Sequence, residues 1–184
     1  VVTIGGFTGT SCVGTYTVLA GHASTNLTAS IVSVTGTARD IALNNLALAL
    51  PGTNIATSSN IVIDTIAPTM ISITSSKANG VYTVGEQISI LVNFSESITV
   101  TTSLNVTLDT GAVVTISGFT GTSAVGTYPV LAGHTSADLT AGSVSVTGTA
   151  RDAALNNLVL SLPGTNIATG SNIVIDTTAP TMTS

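Results

Sequence analysis

The chain has 184 residues and a formal net charge of −5; 43% of its residues are hydrophobic and only 6% are charged. High hydrophobicity with few charges is the opposite of the composition of a disordered chain. The only cations are Arg39, Lys77 and Arg151, so the sequence contains no basic patch for nucleic acid. No apolar run approaches the roughly 20 residues that a membrane-spanning helix needs, so no span is expected in this segment.

The residue types favour strands over helices. The β-branched residues Val, Ile and Thr dominate the sequence, and they suit the pleated surface of a sheet. Long stretches of Ala, Leu, Glu and Lys, which would favour helices, are absent. The composition therefore predicts an all-β protein.

The sequence contains a long internal repeat. Residues 1–72 and 113–184 are identical at 58 of 72 aligned positions, with a period of 112 residues. A period of about 100 residues fits a whole β-sandwich domain. We therefore expect residues 1–66 to be the C-terminal part of a sandwich repeat, whose N-terminal strands are absent or are supplied by a neighbour. Residues 67–178 are expected to form a complete repeat, and residues 179–184 to start the next one.

The first half of the complete repeat alternates between apolar and polar residues, which predicts strands. The stretch Glu86–Phe94 is the clearest example, because every second residue in it from Ile88 onward is apolar. The turn residues Asp109-Thr110-Gly111 predict a hairpin. Further strands are expected around Ile71 and Ile73, from Leu104 through Val106 to Leu108, and over Val113–Ile116, with a turn at Ser75–Gly80.

The second half continues with shorter segments. A Gly-His turn is expected at Gly133-His134, and a polar loop at Arg151–Asn157. Strands are expected at Val125–Leu131, at Ser143–Thr149, at Leu158, Leu160 and Leu162 before Pro163-Gly164, and at Ile173 and Ile175. The repeat would thus contain about seven or eight strands, which is typical of a sandwich.

No group of residues predicts catalysis. The sequences Arg39-Asp40 and Arg151-Asp152 suggest ion pairs that anchor loops. His22 and His134 each follow a turn glycine without a second metal ligand nearby, so they are interpreted as turn residues and not as zinc ligands. No nucleophile elbow is present, and we do not expect an enzyme.

Four stretches of the complete repeat point to a family when they are taken together. They are Ser76–Gly85, Val92–Glu96, Arg151–Asn156 and Asn172–Pro180. As a set they resemble the immunoglobulin-like (cadherin-like) tandem repeats of giant bacterial surface proteins and adhesins. The resemblance implies antiparallel β-sandwiches stacked in tandem outside the cell, often with Ca²⁺ at the joints between them. Leu155 stands where similar repeats carry Gly, and similar repeats contain more acidic residues.

This resemblance makes the acidic residues candidate calcium ligands, because Ca²⁺ binds several oxygens and carboxylates foremost. The alternative is that these residues accept backbone N–H groups in turns. The candidates are Glu96, Asp152, Asp176, Asp64 and Asp40.

Each repeat boundary is predicted to be a stiff joint. Proline fixes its own φ angle and restricts the residue before it, so the Ala-Pro pairs should limit rotation. The expected joint residues are Asp64, Pro68, Asp176 and Pro180.

The predicted function is that of a structural repeat module of an extracellular bacterial surface protein. The module would form a stiff rod, or a self-associating filament or surface layer, with strand exchange between subunits as one route to assembly. Self-association is expected because few charges mean weak repulsion between molecules. The alternative is an adhesin module that binds a host, prey or surface ligand. N-glycosylation patterns at Asn26, Asn93 and Asn105 are interpreted as chance matches.

Overall fold

The computed structural model describes residues 1–183 and confirms that the protein is mostly β-strand, with antiparallel sheets. The chain divides into two compact units, unit 1 (Val1–Ile66) and unit 2, which begins at Ala67. The helices of the described residues are single turns, α1 (Ile55–Ser58) in unit 1 and α2 (Ile167–Gly170) in unit 2. Neither turn was predicted from the sequence. Each begins at an asparagine that forms a capping box with the threonine three residues later.

Unit 2 contains all of the strands among the described residues. They form a five-stranded sheet and a three-stranded sheet. The strands are β1 (Met70–Thr74), β2 (Gly80–Tyr82), β3 (Gln87–Leu108), β4 (Val113–Pro129), β5 (Thr135–Ser136), β6 (Ala141–Thr147), β7 (Ala150–Arg151) and β8 (Ile173–Asp176).

The five-stranded sheet is organised around β3. One side of β3 pairs with β4 along most of its length, and the other side pairs in turn with β1, β7 and β6. The sequence predicted two separate strands here, whereas the structure joins them into one strand of 22 residues. The register shifts between Asn93 and Ile98 and between Val100 and Ser103. Such bulges bend a strand without ending it. They also interrupt the alternation of apolar and polar residues, which is why the sequence predicted two strands in place of one.

The three-stranded sheet has the order β2-β8-β5, and β2 runs parallel to β8. Two isolated parallel bridges, Thr69 with Val159 and Ser72 with Thr165, also connect the beginning of unit 2 to its C-terminal part. The predicted antiparallel pairing thus holds throughout the five-stranded sheet, whereas the three-stranded sheet is mixed, with β8 antiparallel to β5 and parallel to β2. The parallel pairs form because the beginning and the end of unit 2 lie side by side and run in the same direction.

The core of unit 2 lies where the sequence pattern placed it. The predicted inward residues of β3 are buried: Ile88, Ile90, Val92, Phe94, Leu104, Val106 and Leu108. They share one cluster with Ile173 and Ile175 of the other sheet. At about 25 cal/mol per Å² of apolar surface, this cluster is the main stabilising contribution to unit 2.

One predicted strand is absent. The segment Leu158–Leu162 contains one isolated bridge, at Val159, another bridge precedes it at Asn157, and the side chains of Leu160 and Leu162 are exposed. The bridge at Asn157 leads back to Arg151 and the bridge at Val159 leads to Thr69, so the two neighbours differ. The alternation of apolar and polar residues predicted a strand here, but no single neighbouring strand runs along this segment.

Unit 1 has nearly the same sequence as residues 113–178 but contains no strand, although all 66 residues are described. It keeps two isolated bridges, Ser24 with Ile63 and Arg39 with Asn45. Residues 1–17 correspond to β4, whose partner in unit 2 is β3, and residues 1–66 include no counterpart of β3. A β-strand is stabilised by backbone hydrogen bonds to a neighbouring strand. Without that neighbour, nearly the same sequence does not form a strand in unit 1.

The repeat offers a matched test of this dependence. Ile173 is 0% exposed, whereas its counterpart Ile61 is 42% exposed. Replacing a buried isoleucine by alanine costs about 2–5 kcal/mol, whereas surface substitutions stay within about 0.5 kcal/mol, so a partly exposed site should lie between. We expect Ile173→Ala to lower the free energy of unfolding in urea by several-fold more than Ile61→Ala does. Equal losses would show that unit 2 does not owe its stability to this core.

Candidate functional site

The predicted polar loop is closed by Asp152, whose side chain is 5% exposed. Its Oδ1 accepts the Asn156 backbone N–H at 2.8 Å, and its Oδ2 accepts the Asn156 amide N–H at 2.8 Å. The Asp152 backbone N–H donates to the Asn156 carbonyl at 3.1 Å. An aspartate with this many short-range partners fixes a turn, as the alternative in the sequence analysis proposed.

Asp40 forms the same loop in unit 1. The Asn44 backbone N–H and side-chain amide each donate to its carboxylate at 2.8 Å. These two hydrogen bonds, the side-chain bond foremost, lower the pKa of Asp40 below its ordinary value. The carboxylate is exposed, so this contributes little to stability.

The ion pairs expected within Arg39-Asp40 and Arg151-Asp152 are not formed. Arg39 Nε donates to Asn45 Oδ1 at 2.9 Å, and Arg151 Nε donates to Asn157 Oδ1 at 2.8 Å. The aspartates already accept from Asn44 and Asn156, and adjacent residues of an extended chain point to opposite sides. Each arginine therefore anchors the far end of its loop instead.

Two of the candidate calcium ligands meet in unit 2. Carboxylate oxygens of Glu96 and Asp152 lie within 4.8 Å of each other. Glu96 belongs to the irregular part of β3, where pairing with β4 is interrupted between Asn93 and Ile98, and Asp152 follows β7. Two carboxylates this close repel each other unless a cation or hydrogen-bond donors compensate their charge.

Asp64 and Asp176 each accept a backbone N–H from the residue two positions later. Asp64 Oδ1 accepts the Ile66 N–H and Asp176 Oδ1 accepts the Thr178 N–H, both at 2.9 Å. These are turns in which an aspartate accepts from the residue two positions later. Asp176 is exposed at the end of β8 and does not join Glu96 and Asp152 in the group of acids that could hold a metal.

The two turn histidines have a role that was not predicted from the sequence. His134 Nδ1 accepts the Leu131 N–H at 3.2 Å and lies 2.9 Å from the hydroxyl of the fully buried Tyr128. His22 repeats the contact with Tyr16 at 2.7 Å. Burial raises the pKa of Tyr128 above its ordinary value. The matching spacing of six residues in Tyr16–His22 and Tyr128–His134 was the signal that could have found this pair.

An open depression lies along β5 and β8 and is lined by Thr135, Ser136, Ala137, Val174, Ile175 and Asp176. Asp176 is its only titratable group and already accepts the Thr178 N–H. The Ser136 hydroxyl in this lining donates to Asp109 Oδ2 at 2.6 Å.

Comparison with protein-family models, with curated proteins and with solved structures finds no match for this chain. The immunoglobulin-like repeat family thus stays a prediction from the motifs. Within the described part of the chain, no helix has the length and apolar character needed to cross a membrane.

The loop at Asp152 contains a residue in a costly conformation. Leu155 has a φ of 69° and is 69% exposed, so a leucine adopts the left-handed region without compensating burial. That region costs a non-glycine residue about 1–2 kcal/mol, part of which is offset by the greater chain entropy of an unfolded glycine. We expect Leu155→Gly to raise the free energy of unfolding by about 0.5–1 kcal/mol.

Ala154→Gly is the control, since Ala154 is exposed and does not have a positive φ. It should lower stability or leave it unchanged, as measured by urea unfolding. A loss of stability in Leu155→Gly would mean that the leucine side chain makes contacts that outweigh its backbone strain.

Proposed function

We propose that this chain is part of a tandem array of immunoglobulin-like sandwich repeats that bears load as a structural module of an extracellular bacterial surface protein. The observation that carries the proposal is the parallel pairing of the first and last parts of unit 2. The repeated sequence, the low charge and the four stretches that resemble the repeat family support the tandem array and its place in an extracellular surface protein.

The parallel pairs are loaded in shear when the chain is pulled. Gly80–Tyr82 pairs in parallel with Ile173–Ile175, and the bridges of Thr69 to Val159 and Ser72 to Thr165 run the same way. Tension between the two ends of unit 2 pulls such strands past each other. Several hydrogen bonds must then break together, whereas an antiparallel hairpin opens one bond at a time. This arrangement suits a stalk that is held at both ends.

The repeated anchors support an array built from one kind of unit. Asn54 accepts the Ala29 N–H at 3.0 Å, and Asn166 accepts the Ala141 N–H at 2.9 Å. The loops closed by Asp40 and Asp152 and the two Tyr–His contacts are likewise spaced by 112 residues. A receptor-binding domain would more often be a single, distinct domain.

Self-association of such molecules is part of the proposal. The chain carries 11 charged side chains in 184 residues, so repulsion between copies is weak. The Ala67-Pro68 and Ala179-Pro180 joints restrict backbone rotation, which favours a stiff rod over a flexible string.

We also propose that calcium stabilises unit 2 at Glu96 and Asp152. Asp152 is almost fully buried beside a second carboxylate, and a cation would relieve that repulsion. Ca²⁺ takes about 6–8 oxygens, so two carboxylates supply only part of its shell. The site would therefore be weak, with a Kd on the order of 10⁻⁴–10⁻³ M, as in other extracellular modules.

The load-bearing role predicts how the full chain responds to pulling from its two ends. Unit 2 should resist until one force peak and then release about 0.35 nm per unfolded residue. Gly80→Pro should lower that force, because the Gly80 N–H donates to the Asn172 carbonyl at 3.0 Å and proline has no N–H.

Gly80→Ala is the matched control for this measurement. It keeps the N–H, and its new Cβ would stand 3.6 Å from the Tyr82 hydroxyl, an ordinary contact. Extension of the wild-type chain without a force peak would contradict the load-bearing role.

Calcium binding predicts a shift in the melting temperature of the full chain. At a Ca²⁺ concentration about ten times Kd, binding should stabilise unit 2 by about 1.4 kcal/mol relative to the chain in EDTA. Glu96→Gln should abolish the shift, whereas Asp40→Asn should preserve it, because residues 1–66 include no counterpart of Glu96. A melting temperature that is the same in calcium and in EDTA would remove the metal from the proposal.

A further inference from the structure

We infer that unit 2 pairs with a second copy of this chain through the outer edge of β4, over residues 123–127. The inference rests on the self-association in the proposed function and deepens it, because it names the interface and the partner. It concerns one stretch of backbone, residues 123–127, which we call the open edge. The occupant of the open edge is the same five residues of the second copy, running in the opposite direction.

Strand β4 is an edge strand of the five-stranded sheet. Its 17 residues pair with β3 on one side, and no strand among the described residues pairs with its other side. The opposite border of the sheet is partly covered, because Thr69 and Ser72 bridge to Val159 and Thr165 beside β1. A long unpaired edge presents a row of N–H and C=O groups that can pair with another chain. Strand β4 and its neighbour β3 both lie within residues 67–178, which span one period of the repeat.

Alternate residues of the open edge direct their backbone groups away from β3. The Val130 N–H donates to the Glu86 carbonyl at 2.9 Å, which fixes the alternation along the uninterrupted register that follows. In an antiparallel pair, residues that exchange hydrogen bonds alternate with residues that do not. The residues whose N–H and C=O groups point outward are thus Ser123, Val125 and Thr127. Within the described part of the chain, no loop or turn forms a backbone hydrogen bond with these three residues.

The open edge has none of the features that protect an exposed strand edge from pairing. Such features are lysines, prolines, bulges and inward-pointing charges. Strand β4 contains no charged residue, and its one proline, Pro129, lies outside the open edge. Residues 123–127 pair with β3 without a bulge. The side chain of Val125 is 60% exposed in the middle of the open edge, and those of Ser123 and Thr127 are exposed on either side of it.

The open edge is complementary to itself. When two copies run antiparallel about a two-fold axis at Val125, this residue lies opposite Val125 of the second copy, and Ser123 lies opposite Thr127. These three opposite pairs would exchange about six backbone hydrogen bonds. Pairs of β-branched residues and Thr–Ser pairs stabilise antiparallel strands when they lie directly opposite each other. Such an isologous contact uses the same patch on both copies, so a second copy is a sufficient partner.

The charges of the chain favour a second copy over a partner that is recognised by its charge. Residues 113–129 supply no charged side chain, so they offer nothing to attract a charged peptide. Two copies of a chain with a net charge of −5 can meet along this edge without placing like charges opposite each other. Five residues from each copy form a small interface, and interfaces below about 1,200 Å² are typical of weak contacts. In the proposed array, several such contacts would reinforce each other.

The experiment compares two lysine substitutions in the full 184-residue chain by sedimentation velocity over a range of protein concentrations. The unsubstituted chain should show a monomer–dimer equilibrium. Val125→Lys places like charges opposite each other at the two-fold axis, so the association constant should fall by about tenfold or more. Val113→Lys is the matched control, because Val113 is 57% exposed on the same strand but lies outside the open edge. It changes the net charge equally and should leave the association constant unchanged.

A cysteine at the same position tests the register of the pairing. Cys12 is the only cysteine, so the test uses a Cys12→Ala background. Val125→Cys would place two thiols opposite each other with their Cα atoms about 5.5 Å apart, which is within the range of a disulfide. Oxidation should give a covalent dimer of this variant. Val113→Cys in the same background should give little dimer.

A chain that stays monomeric at every concentration would overturn the inference together with the proposed self-association. Association that Val125→Lys leaves unchanged, or that both lysines weaken equally, would overturn the inference but leave self-association through another surface. Equal disulfide yields from the two cysteine variants, or no disulfide at position 125, would overturn it as well. The force measurement tests the load-bearing role of unit 2 separately, so either proposal can fail without the other.

Discussion

The structure of unit 2 depends on the pairing of β3 on both of its sides. This strand of 22 residues holds β4 on one side and β1, β7 and β6 on the other, and its inward residues provide much of the core. Burial and backbone pairing are therefore coupled in one element. Unit 1 shows the consequence in the same molecule, because its sequence is nearly that of residues 113–178 but most of its large apolar residues stay exposed.

The elements that do not depend on β3 are short-range polar anchors. Asparagine caps, loops closed by aspartate and Tyr–His contacts occur in both units with similar distances. Their partners lie mostly within about 30 residues along the chain, so their loop-closure cost is small. They shape the surface on which the large strand docks. In this chain, polar groups position the segments and apolar contacts with β3 make them a stable sheet.

This division bears on function. Four of the candidate calcium ligands, Asp40, Asp64, Asp152 and Asp176, accept hydrogen bonds in turns, and Glu96 places a second carboxylate within 4.8 Å of Asp152 in unit 2. The proposed load-bearing role rests on the parallel contacts between the beginning and the end of unit 2, which the sequence did not predict. Under the proposed role, an array of such units would carry tension through these shear-loaded strands.

The sequence by itself determined the strand-rich class, the repeat, the inward faces of β3 and the turn at Asp109-Thr110-Gly111, because these depend on residue type and on spacing along the chain. It did not determine that Glu86–Phe94 and Leu104–Leu108 belong to one strand, that β2 runs parallel to β8, or that Leu160 and Leu162 lie outside any strand. Nor could it show that Arg151 contacts Asn157 instead of its neighbour Asp152. Those outcomes depend on which distant segment lies alongside, and identical stretches in the two units differ in exposure for that reason alone.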